Sequence, residues 1–162
     1  MTDAVAAAPS DRSPGPERAP ARPGRGSTRS RARKRALDIL FEAELRGTDP
    51  LETLNVRVAE ASPPVRPYTA ELVRGVVARR PEIDARITAH ASPRWSLERM
   101  PRVDRTAARI AVYEIDHSEV PNAVAIAEAV ALVGELSTDD SPAYLTGLRS
   151  AVAAAAADAA PA

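Results

Sequence analysis

The sequence predicts an all-α fold of about seven helices in a single domain. Apolar residues recur at three- and four-residue spacing from Arg29 onward, no stretch sustains the alternation of a strand, and Pro or Gly separates the periodic runs. A chain of 162 residues can bury one modest core. Thirty-four of those residues are Ala, nearly half of the apolar count. Small side chains let helices approach closely but bury little area each, so the core should be less stable than its apolar content implies.

Residues 1–28 carry five Pro, three Gly and no large apolar residue beyond Met1 and Val5. Such a segment cannot bury enough surface to offset the entropy of ordering it, and it reads as a disordered tail. From Arg29 the helical period begins. Leu37, Leu40, Phe41 and Leu45 form one stripe that ends at Gly47. Asp49 caps a short helix with Pro50 at its first position, carrying Leu51, Leu54 and Val58. A third helix starts near Tyr68 and buries Leu72, Val73, Val76, Val77, Ile83 and Ile87. Pro81 falls inside that pattern, removes a ladder donor and predicts a kink or restart near Arg79–Arg80.

Ser92-Pro93 opens a short helical segment bearing Trp95, Leu97 and Met100. Pro101 begins a helix with Val103, Ile110, Val112 and Ile115, and Pro121 one with Val124, Ile126, Val130 and Val133. Ser141-Pro142 supplies a cap and first-turn signal for the last helix, through Tyr144, Leu145, Leu148 and Val152. The domain therefore runs over 29–153, and the Ala-rich 154–162 reads as a tail.

The formal net charge is zero, but it is divided unevenly. Residues 1–35 hold nine basic and three acidic groups, a net +6, and the remainder carries −6. A basic arm on an acidic body fits contact with nucleic acid, although charge alone also suits a membrane surface. No apolar run is long enough to span a bilayer, and residues 1–10 lack the pattern of a signal peptide. A soluble, cytoplasmic chain is the expectation. Without Cys, disulfides and thiolate chemistry are excluded.

No catalytic arrangement stands out. His90 and His117 have no partner at ligand spacing, so no metal is expected. There is no Gly-rich phosphate loop and no nucleophile elbow, and the pairs Glu42/Glu44 and Asp139/Asp140 read as a solvated face and a helix-start cluster. No cofactor and no enzymatic activity are expected.

The informative segment is RSRARKRALDILFEAEL. Arg31, Lys34 and Arg35 share one side of a helix, and Arg29 and Arg33 form an adjacent row. The first turns project cations into solvent while the later turns dock on the body. Cations at a helix N-terminus oppose the helix dipole, a conflict that a bound phosphate would resolve.

ARKRALDILFEAEL, YTAELVRGVV, WSLERMPRVDRTAARIAVYEI, VPNAVAIAEAVALVGEL and DDSPAYLTGL, in that order, resemble the NusB transcription antitermination factors. The likeness runs from about Arg31 to Val152, and ELSTDDSP resembles the actinobacterial branch. It implies seven helices in two packed bundles and a protein that binds boxA, a single-stranded element of ribosomal RNA leader transcripts. It also implies a partner, the small-subunit ribosomal protein NusE, and assembly with NusA, NusG and RNA polymerase to suppress premature termination. RNA contacts carried over by the resemblance fall on Arg29, Arg31, Arg33, Lys34 and Arg35, and on Asp140, Ser141 and Tyr144 of the last helix. NusE contacts fall on Glu98, Asp104 and their neighbours.

Thr146, Ala127 and Ala108 depart from the family's usual residues, and Pro81 interrupts a family helix. Arg109, Glu114 and Glu128 match the family pattern and read as an internal ion-pair network. The competing reading is an RNA-binding module like the N-terminal domain of ribosomal RNA cytosine methyltransferases, against which stand the missing cofactor domain and nucleophilic Cys. Monomer and homodimer both remain open.

Overall fold

The computed structural model describes residues 27–91, 93, 96–136, 150, 152–154, 156 and 157. Six helices are delimited among them: α1 (Thr28–Arg46), α2 (Pro50–Glu60), α3 (Pro67–Ala78), α4 (Arg80–His90), α5 (Arg102–His117) and α6 (Asn122–Leu136). Helix returns at 150, 152–154, 156 and 157, where Val152 and Ala156 are buried and Asn122 Nδ2 donates to the Ala156 carbonyl at 3.3 Å. Ala156 lies in the Ala-rich run that the sequence reads as a tail. Most of the last helix, with Asp140, Ser141 and Tyr144, lies outside the described residues, as do residues 1–26 and Trp95.

Local chemistry sets the helix ends. The Ser27 hydroxyl accepts from the Ser30 amide at 2.9 Å, so α1 begins one residue before the predicted start. Gly47 closes α1 in the left-handed region at φ +66°, returning its amide to the Ala43 carbonyl. The Asp49 carboxylate accepts from the amides of Leu51 and Glu52, and Pro50 occupies the first turn of α2. The predicted restart at Pro81 is a break: α3 ends at Ala78, and Arg79 leaves helical geometry (φ −114°, ψ 15°) before α4 begins. Between His90 and Arg102 the described residues hold a 3₁₀ position at Pro93, within the short helical segment expected there, and no delimited α-helix.

Helices α1, α2 and α3 form one bundle and α4, α5 and α6 a second, with α5 also packed on α1 and α3. Ten consecutive residues of α5, Thr106–Ile115, are buried. A helix covered all round must partner every polar side chain internally. By contrast α2 is shallow and buries only Thr53 and Leu54. Leu51 and Val58, predicted as core, are exposed there, as are Leu45 (59%) at the end of α1 and Val124 on α6. Their spacing was helical, but the stripes outrun the surface available to cover them.

Candidate nucleic-acid interface

The first two turns of α1 rise from a buried polar cluster. Arg33 is 2% exposed; its Nε donates to both oxygens of Glu114 at 2.9 and 3.0 Å, and its Nη1 lies 3.6 Å from Glu128 Oε2. The Ser30 hydroxyl donates to Glu128 Oε1 at 2.9 Å, and the Tyr68 hydroxyl donates to Glu114. Burial works against the Arg33 charge, but the bond to Glu114 and the surrounding carboxylates outweigh it and raise its pKa. Burial, then the bond to Glu114, pushes the Tyr68 hydroxyl well above the usual phenol range, so it stays a donor.

Arg33 therefore departs from the expectation of a solvent-facing cation. It points inward because Glu114 on α5 and Glu128 on α6 need a countercharge in the core, and an unpaired buried carboxylate is costly. The expected network of Arg109, Glu114 and Glu128 is also redistributed. Arg109 instead makes paired hydrogen bonds to Asp84 at 2.7 and 2.9 Å, with Glu44 Oε2 at 3.9 Å.

Four cations remain on the outer side of the same turns. Arg29 and Arg31 are exposed; Lys34 and Arg35 are half-buried. The Arg29 guanidinium sits over the Tyr68 ring, 5.2 Å from its centroid. Lys34 Nζ is 2.6 Å from Glu135 Oε1, and that bond raises its pKa. Arg35 Nε is shielded from solvent and has no hydrogen-bond acceptor among the described residues. Asp38, one turn on, is pushed up by burial. No acidic residue sits in the first turn of α1, so the cations meet the positive end of the helix dipole unrelieved from within the helix.

The two positions expected to meet a protein partner separate. Glu98 is exposed, whereas Asp104, in the first turn of α5, is 2% exposed and faces inward. Asp104 is thus part of the packed interior, where its spacing within the RVDR stretch gave no sign of depth. Sequence reasoning also missed Ser30 and Tyr68, and the pairing of Glu44 with Arg105 and Arg102. Tyr68 entered only as the start of the third helix and within the YTAELVRGVV stretch. Among the described residues no group of His, Asp or Glu is arranged to hold a metal, and no helix is long and apolar enough to cross a membrane.

A family model described as the NusB family matches residues 30–148. The chain belongs to the NusB family. It is 55% identical over 126 residues to a transcription antitermination protein NusB of Cutibacterium acnes, covering 78% of this chain and 48% of that protein. It is 48% identical over 123 residues to the NusB of a Nocardioides species, covering 75% of this chain and 90% of that relative. A crystal structure of the antitermination factors NusB and NusE in complex with double-stranded RNA superposes with a TM-score of 0.65 at 26% identity, covering 82% of this chain and 99% of that one. Both of these relatives are named transcription antitermination proteins.

Proposed function

We propose that this NusB-family chain is an antitermination factor that binds boxA-type single-stranded leader RNA together with NusE and prevents premature termination of ribosomal RNA transcription. The carrying observation is the set of four cations, Arg29, Arg31, Lys34 and Arg35, on the outer side of two helical turns that Arg33 fastens from inside. A phosphate there meets side-chain charge and the helix N-terminus together. Asp140, Ser141 and Tyr144 extend the RNA surface, with Tyr144 as a stacking residue. Exposed Glu98 belongs to the NusE surface, and NusA, NusG and RNA polymerase complete the assembly in the cytoplasm. The solved NusB–NusE pair with double-stranded RNA supports the choice of NusE and of RNA as partners.

A labelled leader RNA titrated with the full chain, with and without NusE, tests this reading. About four phosphate contacts give a log K against log salt slope near −3 for a single strand. Charge reversal at Arg31 and Arg35 is expected to weaken binding and flatten that slope by about one to two units. An unchanged slope, or equal competition by duplex DNA of the same charge, overturns it.

A further inference from the structure

We infer that Arg29, seated on the Tyr68 ring, is a stacking platform for one base of the RNA as well as a cation of the phosphate-binding set. The inference rests on the RNA-binding reading above and adds a different chemistry to it.

Arg29 differs from its neighbours in what it touches. Lys34 is bonded to Glu135 and Arg33 to Glu114, but among the described residues no carboxylate pairs with Arg29; its partner is an aromatic ring. That ring is held on several sides. Its hydroxyl is bonded to the buried Glu114, and the Arg33 guanidinium lies 5.8 Å from its centroid. The next residue, Thr69, donates to the Ala32 carbonyl of α1 at 3.1 Å, which fixes the first turn of α3 against the basic turns. The ring is therefore fixed beside the basic turns.

A guanidinium over a ring is attracted by the ring's quadrupole and loses much of its freedom. It is planar, its central carbon stands 5.2 Å from the Tyr68 centroid, and the residue is exposed, so a base can meet the guanidinium plane from the solvent side. Every base has such a face, so the platform tolerates any sequence while favouring the larger purine. A lysine in this position keeps the charge and loses the plane.

That contrast supplies the test. The full chain and Arg29→Lys are titrated with a short labelled single-stranded RNA across a salt series, using the parent oligonucleotide and versions with one abasic site moved along it. Stacking predicts that Arg29→Lys binds about fivefold or more weakly with its salt slope unchanged. It also predicts that at one abasic position the variant and the parent become equal. Because Arg29 is exposed, the variant is expected to fold, and its circular dichroism and melting curve check this. If the RNA binds and Arg29→Lys matches the parent within about twofold, Arg29 is an ordinary phosphate contact and the platform is overturned. If the parent protein binds no single-stranded RNA, the RNA-binding reading falls and the platform with it.

Discussion

At position 33 one side chain decides whether a basic run is a surface or a fastener. In RSRARKR all the large side chains are cationic, and beyond its register with Leu37 and Leu40 nothing local distinguishes Arg33 from Arg31. The distinction comes from Glu114, 81 residues away, which is 1% exposed and draws a countercharge inward. Removing that partner leaves a buried carboxylate unpaired. Arg33→Met should therefore cost about 3–5 kcal/mol in urea unfolding, while Arg31→Met should stay within about 0.5 kcal/mol.

A second residue ties stability to pH. Arg57 donates to Glu42 and holds that carboxyl below its ordinary 4.5. The unfolded chain then takes up the proton first, so the pair stabilises the fold above about pH 4.5 and its contribution disappears as pH falls through the lower folded value. Asp38 works the other way: burial raises its pKa, so the folded state holds that proton more tightly and stability declines as pH rises through the same region. Glu42→Gln is accordingly expected to lower stability at neutral pH and to flatten its loss on acidification. A melting series from neutral to acid pH in which the variant declines as steeply as the parent would contradict the assignment.

Among the helices, what the sequence disclosed and what it hid follow from the range of the forces involved. Caps and breaks are local, and Asp49-Pro50, Gly47 and the Pro81 interruption could be read directly. Burial depends on what lies opposite, so Leu45 and Val58 were assigned to a core that does not reach them, and Asp104 to a surface from which it is turned away. The basic face of the candidate site was legible as charge, but its rear, Ser30 and Tyr68, was not, because both act through partners on other helices.

The α3–α5 contact is similarly non-local. A Cβ on Gly75 would overlap the Tyr113 ring, so the glycine is there for close approach rather than for backbone freedom. Gly75→Ala should destabilise by about 1–3 kcal/mol or more through overpacking. Combined with Tyr113→Leu it should cost less than the two single effects added, with a coupling of about 0.5–3 kcal/mol measured in a double-mutant cycle.

Across the whole chain, the excess of basic groups in residues 1–35 over an acidic remainder separates attraction from folding. Ser27 marks the dividing point, since it caps α1. Deleting residues 1–26 is expected to leave the thermal midpoint unchanged and to weaken RNA binding only at low salt, where charges interact over more than about 10 Å. Ser27→Ala, a far smaller change, should cost about 1 kcal/mol through loss of the cap. A large fall in midpoint on deletion would show that the segment packs on the body.

The continuous burial of Thr106–Ile115 has a consequence in time. Amide protons in the middle of α5 can meet solvent only when the whole domain opens, so their deuterium uptake should be the slowest in the chain and should report the global unfolding free energy. Those at the start of α1 can be reached by fraying of one turn. The polar cluster around Arg33 joins these two regimes, because Glu114 sits within the slow helix and Arg33 in the second turn of α1, next to the turn that frays. An anion that engages the first turns of α1 would therefore slow uptake there and leave α5 unchanged, whereas loss of Arg33 would accelerate both.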